Sequence, residues 1–215
     1  MARRTLVVID DFYDDPDAVR RLALSLDFKR RGRPTYPGGQ AAADRNWMPE
    51  WRRLRAHIEE PVDAPCPKPT PFIQGLFRLA LGPDEKTRID GVHQDAQRWS
   101  AVVYLARNED CEGGVAFFRH KKSGFLASSR ELEAELFGHL RDADPERVER
   151  EMLAYLADMN EWEEVQRIAM RYNRAVLLMG QVFHMSAGVF GQTPERGRLT
   201  QHFEFYAEGD GHVYE

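Results

Sequence analysis

"RWSAVVYLARNEDCEGGVAFFRH", residues 98–120, reads as a strand, a polar turn and a second strand. Val102, Val103 and Tyr104 before the turn, and Val115, Phe117 and Phe118 after it, suit a pleated, half-buried surface. The run "RNEDCEGG" between them is too short for a crossover helix, which a parallel pair would need. Further strands are expected on both sides: "PFIQGLFRLAL" (71–81), "TRIDGVHQD" (87–95), "NRAVLLMG" (173–180), "QVFHMSAG" (181–188) and "GRLTQHFEFYA" (197–207). Short strands that follow one another without crossover helices predict an antiparallel sandwich or barrel.

Helices flank this β region. "TLVVID" (5–10) is strand-like, and "DDPDAVRRLALSLDF" (14–28) places Asp15 as a cap, Pro16 in the first turn, and Val19, Leu22, Ala23 and Leu26 on one face. "NWMPEWRRLRAHIEE" (46–60) repeats the pattern through Trp51, Leu54 and Ile58. "KRRGRPTYPGGQ" (29–40) and "EPVDAPCPKPTP" (60–71) read as loops. Residues 128–170 read as helical throughout, with Ser128 and Glu131 as a capping box and Leu132, Leu136 and Leu140 on one face. The expected organisation is one domain over 1–215: helical support in 1–69, a β core in 70–127 and 171–207, and a helical insertion in 128–170.

The bulk properties limit the function. A chain of 215 residues can bury a core without disulfides, and its two cysteines, Cys66 and Cys111, have no metal-type spacing. A net charge of −5 argues against nucleic acid as the main partner. The opening "MARRTLVVIDDFYDD" is too short in apolar residues for a signal peptide. No apolar run approaches the roughly 18 residues of a membrane span. A cytoplasmic protein without a membrane partner is expected.

His93 and Asp95 stand one residue apart in "DGVHQDAQRW" (90–99), which on a strand puts both side chains on one face. A histidine and a carboxylate so placed can share a divalent metal. Of the other histidines, His57 and His139 lie on expected helices and His212 in the tail. His184, at a strand end beside small residues, is the best third ligand. On the last strand Arg198 and Thr200 alternate onto one face. An inward-facing arginine needs an anion, which its guanidinium can grip bidentately.

The order of "HQD" (93–95), His184 and the Arg198-x-Thr200 pair resembles the iron(II)- and 2-oxoglutarate-dependent oxygenases. Residues 98–120 look like their prolyl-hydroxylase-like branch. "VVIDDFYDDPDAVRRLALSLDF" and "YPGG" resemble an uncharacterised bacterial branch. The resemblance implies a mainly β fold with a double-stranded β-helix (jelly-roll) core, flanked by N-terminal helices and carrying a helical insertion. It implies His93, Asp95 and His184 as catalytic iron(II) ligands. Arg198, Thr200 and Tyr104 become candidates for the distal carboxylate of 2-oxoglutarate. The implied reaction uses dioxygen to hydroxylate a C–H bond of an amino acid or of a peptide or protein side chain. Asp95 fits hydroxylation, because the related halogenating enzymes carry a small residue there. Nucleic-acid demethylases of the superfamily carry a second arginine where this chain has Glu204. The rival readings are a cupin-like metalloenzyme without 2-oxoglutarate and a non-enzymatic jelly-roll binding module. His202 and the basic turn Arg119–Lys122 are secondary candidates for contact with substrate, and Trp162 with the acids around it is a candidate lid over the mouth of the site.

Overall fold

A computed structural model describes residues 4–30, 37–63, 74–87 and 91–207. Cys66, His212 and part of the expected strand 87–95 lie outside the described residues. The fold is mixed α/β: two antiparallel sheets, with helices flanking them and inserted between strands. The strands, in chain order, are β1 (Leu6–Ile9), β2 (Gly39–Ala41), β3 (Val62–Asp63), β4 (Leu76–Ala80), β5 (Trp99–Tyr104), β6 (Gly114–His120), β7 (Trp162–Ala169), β8 (Ala175–Met179), β9 (His184–Ala187) and β10 (Arg198–Ala207). The larger sheet runs β1-β8-β5-β10-β4-β2, with β3 added beside β10, and the smaller runs β7-β6-β9. The helices are α1 (Pro16–Leu24), α2 (Met48–Arg55), α3 (Arg130–Phe137) and α4 (Pro145–Ala157).

Strand alternation sorts the side chains into layers. On β5, β8 and β10 the residues Trp99, Ala101, Val103, Leu177, Met179, Leu199, Phe203 and Phe205 face one way. They pack with Val19 and Ala23 of α1 and Trp51 and Leu54 of α2. Their neighbours Val102, Tyr104, Val176 and Leu178 face the opposite way, onto Val115 and Phe117 of β6. The smaller sheet's outer face, through Ala116, Phe118 and Ala187, is covered by Leu132 of α3 and by Trp162. The two sheets are therefore sandwiched between two helical layers.

Three sequence expectations need correction. The helical insertion ends at Ala157, because Trp162–Ala169 is strand β7, paired to β6. Its glutamates, Glu163 and Glu164, and its one arginine, Arg167, suggest a helix. They are equally suited to a charged edge strand, and pairing to one neighbour overrides local propensity. Asp158 turns the chain between the two by accepting from the N–H of Asn160. The α3 cap is Ser129, which accepts from Leu132 N, while Ser128 turns its hydroxyl to Glu133. Finally, the expected loops include the short strands β2 and β3, and of the expected strand 87–95 only an isolated bridge at His93 forms among the described residues. The cap at Asp15 is present and accepts from Ala18 N.

The N-terminal layer is tied to the larger sheet by Asn173, a buried residue in the left-handed conformation (φ 63°). Its Oδ1 accepts from Tyr13 N and its Nδ2 donates to Tyr13 O, both at 2.8 Å. Its backbone O accepts from Phe12 N at 2.9 Å. Asn173→Ala should cost roughly 3 kcal/mol, from two orphaned backbone groups and left-handed strain. Asn173→Gly should fall between that variant and the parent, because it keeps the loss but relieves the strain. Urea unfolding of the three proteins checks the order.

Candidate metal centre

His93 lies outside any regular strand, yet its position is set as firmly as if it were in one. His93 N donates to His184 O and His184 N donates to His93 O, both at 2.9 Å. Two residues that exchange both hydrogen bonds put their side chains on the same face, and here the imidazole centroids lie 4.6 Å apart. His184 pairs with Phe117 across β6, so this face looks inward, toward the larger sheet.

Asp95 is held by its own N–H, which donates to Gly180 O at 2.7 Å. A Cβ at Gly180 would lie 2.0 Å from Gln97 O and 3.0 Å from Asp95 O, so this loop closes only over a glycine. Ser100 donates its hydroxyl to Asp95 Oδ2 and accepts in turn from Gln97 Nε2 at 2.8 Å. One ligand atom from each of His93, Asp95 and His184 lies within 4.8 Å of the other two. The Nδ1 atoms of both histidines meet backbone carbonyls, Gly91 O at 2.9 Å and Val182 O at 2.8 Å. A proton on each Nδ1 leaves Nε2 as the lone-pair nitrogen, as a metal ligand requires.

In the metal-free site the carboxylate and the imidazoles stabilise one another's charges. Burial works against the charge of Asp95, but the hydrogen bond and charge of His184 and the charge of His93 outweigh it and hold the carboxyl well below its usual range. Burial likewise opposes protonation of His184, and Asp95, 3.5 Å from its Nε2, reverses that and raises its pKa. Two imidazoles and one carboxylate on one side of a divalent ion leave its other positions open.

The same cavity is lined by Arg198, Arg78, His202 and Glu204, all from strands β4 and β10. Arg198 is 2% exposed, and its Nη2 donates to Gly114 O at 3.0 Å. Its Nε meets no partner, and no carboxylate pairs with it among the described residues. Its guanidinium lies 5.9 Å from the ring centroid of Tyr104, whose buried hydroxyl also meets no partner among the described residues. Burial pushes the Tyr104 pKa up to about 12, so it stays a neutral donor. Thr200 stands between Arg78 and Tyr104 in register, and its hydroxyl is 2.9 Å from His202 Nε2. Burial, then Arg78 and Arg198, hold His202 well below its usual pKa, so it is neutral.

The other candidates are used structurally. His120 is enclosed between Ser123 Oγ at 2.7 Å and Tyr155 Oη at 2.6 Å, on the far side of the smaller sheet. Arg119 and Lys122 pair with Glu163 and Glu135, and Lys121 donates to Asn160 O. His139 faces Glu151 on the surface. Sequence reasoning missed Ser100, Gln97, Gly180 and Arg78. Arg78 carried the same signal as Arg198, an arginine on an inward strand position, and Ser100 shares the alternation of Val102 and Tyr104.

Gly180→Ala should displace the Asp95 loop and weaken cobalt(II) binding by about tenfold or more, the usual scale for disturbing a ligand's support; calorimetric titration measures it. Glu204 gives a pH signature. Burial first, then the charge of Asp95, raises its pKa from 4.5 to about 7, against the hydrogen bond from Tyr206 and the charge of Arg78. A raised carboxyl pKa means the folded state holds its proton more tightly than the unfolded one. The folded state is therefore unpenalised below pH 4.5 and loses stability as pH rises through 7. Glu204→Gln should match the parent at pH 4 and exceed it at pH 8.5 by up to about 3 kcal/mol, at 1.36 kcal/mol per unit. Urea midpoints of metal-free protein at the two pH values test this.

No helix among the described residues is long and apolar enough to cross a membrane. No curated protein matches the sequence. Among solved structures the chain is similar to the Fe(II)/α-ketoglutarate-dependent dioxygenase TqaL, with a TM-score of 0.47 and 12% identity over 95% of this chain and 83% of that one. It is also similar to HygX from Streptomyces hygroscopicus, solved with nickel and 2-oxoglutarate bound (TM-score 0.44, 14% identity, 94% and 83% covered). A third similar structure is the non-heme iron oxygenase OrfP in complex with Fe (TM-score 0.39, 8% identity, 90% and 78% covered). Likenesses this weak leave the functional argument to the site's own geometry. A family model described as a family of unknown function, DUF6445, matches residues 1–205, so the chain belongs to that family.

Proposed function

We propose that the chain is an iron(II)- and 2-oxoglutarate-dependent oxygenase, a single jelly-roll domain that hydroxylates a C–H bond of an amino acid or of a peptide or protein side chain. The observation that carries this reading is Arg198, a buried guanidinium without a carboxylate partner among the described residues, lining the same cavity as the His93, Asp95 and His184 cluster. A metal site alone fits many enzymes. A metal site beside an unmatched buried cation calls for a ligand that is anionic at one end and can reach the metal with the other, as 2-oxoglutarate can.

In this reading His93 and His184, through Nε2, and Asp95, through its carboxylate, would hold iron(II). When bound, the iron supplies the oxidising chemistry, coupling decarboxylation of 2-oxoglutarate by dioxygen to oxidation of the substrate. The chain's own residues prepare the site. Gly91 O and Val182 O fix the two imidazole tautomers, and Ser100, backed by Gln97, fixes one oxygen of Asp95. Arg198 would take the distal carboxylate of 2-oxoglutarate, with the neutral Tyr104 hydroxyl and Thr200 as further partners. Val102, Val115 and Leu178 in the cavity wall limit water around the reacting groups.

The test is anaerobic titration with iron(II) and then 2-oxoglutarate, followed by visible absorption. A weak charge-transfer band that needs both additions and is absent in His184→Ala is expected. Arg198→Ala should retain iron(II) binding but weaken 2-oxoglutarate by about 100-fold, the scale of a lost charged hydrogen-bond pair. Metal binding without any response to 2-oxoglutarate would overturn the oxygenase reading in favour of a metalloenzyme that uses no cosubstrate.

A further inference from the structure

Glu204 lines the metal cavity, and among the described residues no cation pairs with its carboxylate. It is the partner of Ser100 in the register of β10 on β5, so the two side chains share a face with their Cβ atoms about 5 Å apart. Ser100 donates to Asp95 Oδ2, which puts Glu204 beside the candidate metal ligands, where the charge of Asp95 acts on it.

The position of Glu204 is fixed by side chains from other elements. Gln74 Oε1 accepts from Glu204 N at 3.1 Å, while Gln74 Nε2 and Trp51 Nε1 donate to Glu204 O at 2.8 Å and 3.0 Å. The hydroxyl of Tyr206 donates to Oε2 and orients the carboxylate. Oε1 receives no hydrogen bond among the described residues, and the half-buried side chain borders the cavity. One oxygen of a firmly placed carboxylate is therefore left for a ligand.

Charge decides what kind of ligand. A carboxylate withdrawn from water is costly unless a counter-charge or enough donors compensate it. Burial is the first cause that raises the Glu204 pKa to about 7. Arg78 acts on it only at a distance: its charge lowers that pKa, but the two form no ion pair. In the loaded site the metal would compensate Asp95, and Arg198 would compensate the distal carboxylate of 2-oxoglutarate. Glu204 is then the carboxylate of the cavity wall still without a counter-charge. An anionic group is repelled from it, and an uncharged group leaves it unpaired. A positively charged nitrogen donates to Oε1 and cancels the charge.

We propose that the substrate carries a positively charged nitrogen, as an ammonium or guanidinium group, which Glu204 binds beside the metal centre. The inference rests on the oxygenase reading and narrows it, selecting those amino acids or side chains whose cationic group lies close to the C–H bond that is oxidised.

The experiment has two stages. The charge-transfer band of iron(II) and 2-oxoglutarate is first read at about pH 8, above the Glu204 pKa, in the parent and in Glu204→Gln, and both should show it. Manganese(II) then replaces iron(II), with 2-oxoglutarate still bound. Proton relaxation of added n-butylguanidinium, n-butylammonium, butan-1-ol and butyrate is followed by NMR, with zinc(II)-loaded protein as the diamagnetic blank. Saturable paramagnetic relaxation is expected for the two cations and for neither of the other probes. Glu204→Gln should weaken both cations by about tenfold or more, the scale of a lost charge-assisted hydrogen bond. Glu204→Asp, which keeps the charge, should bind them more tightly than Glu204→Gln does. Circular dichroism confirms folding, and Glu204→Ala replaces Glu204→Gln if the latter does not fold. No band in the parent overturns the oxygenase reading and this inference with it. A normal band with no saturable cation, with butan-1-ol bound as well as the cations, or with cation binding unchanged in Glu204→Gln overturns the inference alone. Loss of the band in Glu204→Gln also overturns it, because Glu204 then supports the metal or the cosubstrate.

Discussion

Two main-chain hydrogen bonds, exchanged between His93 and His184, set the geometry on which the candidate site depends. They join a short irregular segment to the free side of β9 and fix which way both imidazoles point. A shift of one residue would turn His93 outward and bring Val92 and Gln94 inward. The segment cannot slide, because Val92 N is bound to Leu156 O on one side and Asp95 N to Gly180 O on the other. The site is thus positioned by backbone bonds from three separate parts of the chain. Each imidazole is then oriented by a carbonyl two residues away in sequence.

The larger sheet supplies the opposite wall, and its chemistry is a conflict deliberately left open. Arg198, Tyr104 and Arg78 project from adjacent strands into the inner layer, where apolar residues would pack better. A buried guanidinium costs several kcal/mol unless paired and hydrogen-bonded. Arg198 recovers part of this from Gly114 O and from the face of Tyr104. The N-terminal layer offsets such a cost through its aromatic packing, with Trp51 stacked on Phe205 and Trp47 edge-on to Phe77. Binding capacity on one face of the sheet is supported by ordinary core on the other.

Most of this was legible in the sequence, for physical reasons that differ by element. The core strands are apolar runs bounded by turns, and β5, β6, β8, β9 and β10 fall where those runs lie. Asp15 and Pro16 mark the start of α1 with side-chain chemistry alone. The stretch 162–169 was misread because it is an edge strand: with one side open to water it needs few apolar residues, and Glu163 and Glu164, four and three residues before Arg167, imitate a helix surface. His93, Asp95, His184 and Arg198 were legible because polar residues in strand-like sequence need a reason to be there. Their supports were not. Ser100 and Gln97 are ordinary surface residue types, and Gly180 matters through the close approach of Gln97 O and of Asp95, which no local pattern encodes.

The smaller sheet has a different task on each side of a single layer of backbone. Its inner face carries His184 and looks onto the polar cavity; its outer face carries Phe183, the next residue back, which packs against Trp162. The segment from Val92 to Asp95 continues this alternation, with His93 turned inward while Val92 packs outward and Gln94 reaches Glu133 of α3. Any force that moves the α3–α4 hairpin therefore acts on the same stretch of backbone that carries His93 and Asp95. Cores of this kind are close-packed and deform little. The helical insertion is thus mechanically continuous with the candidate metal site although it contributes no ligand to it.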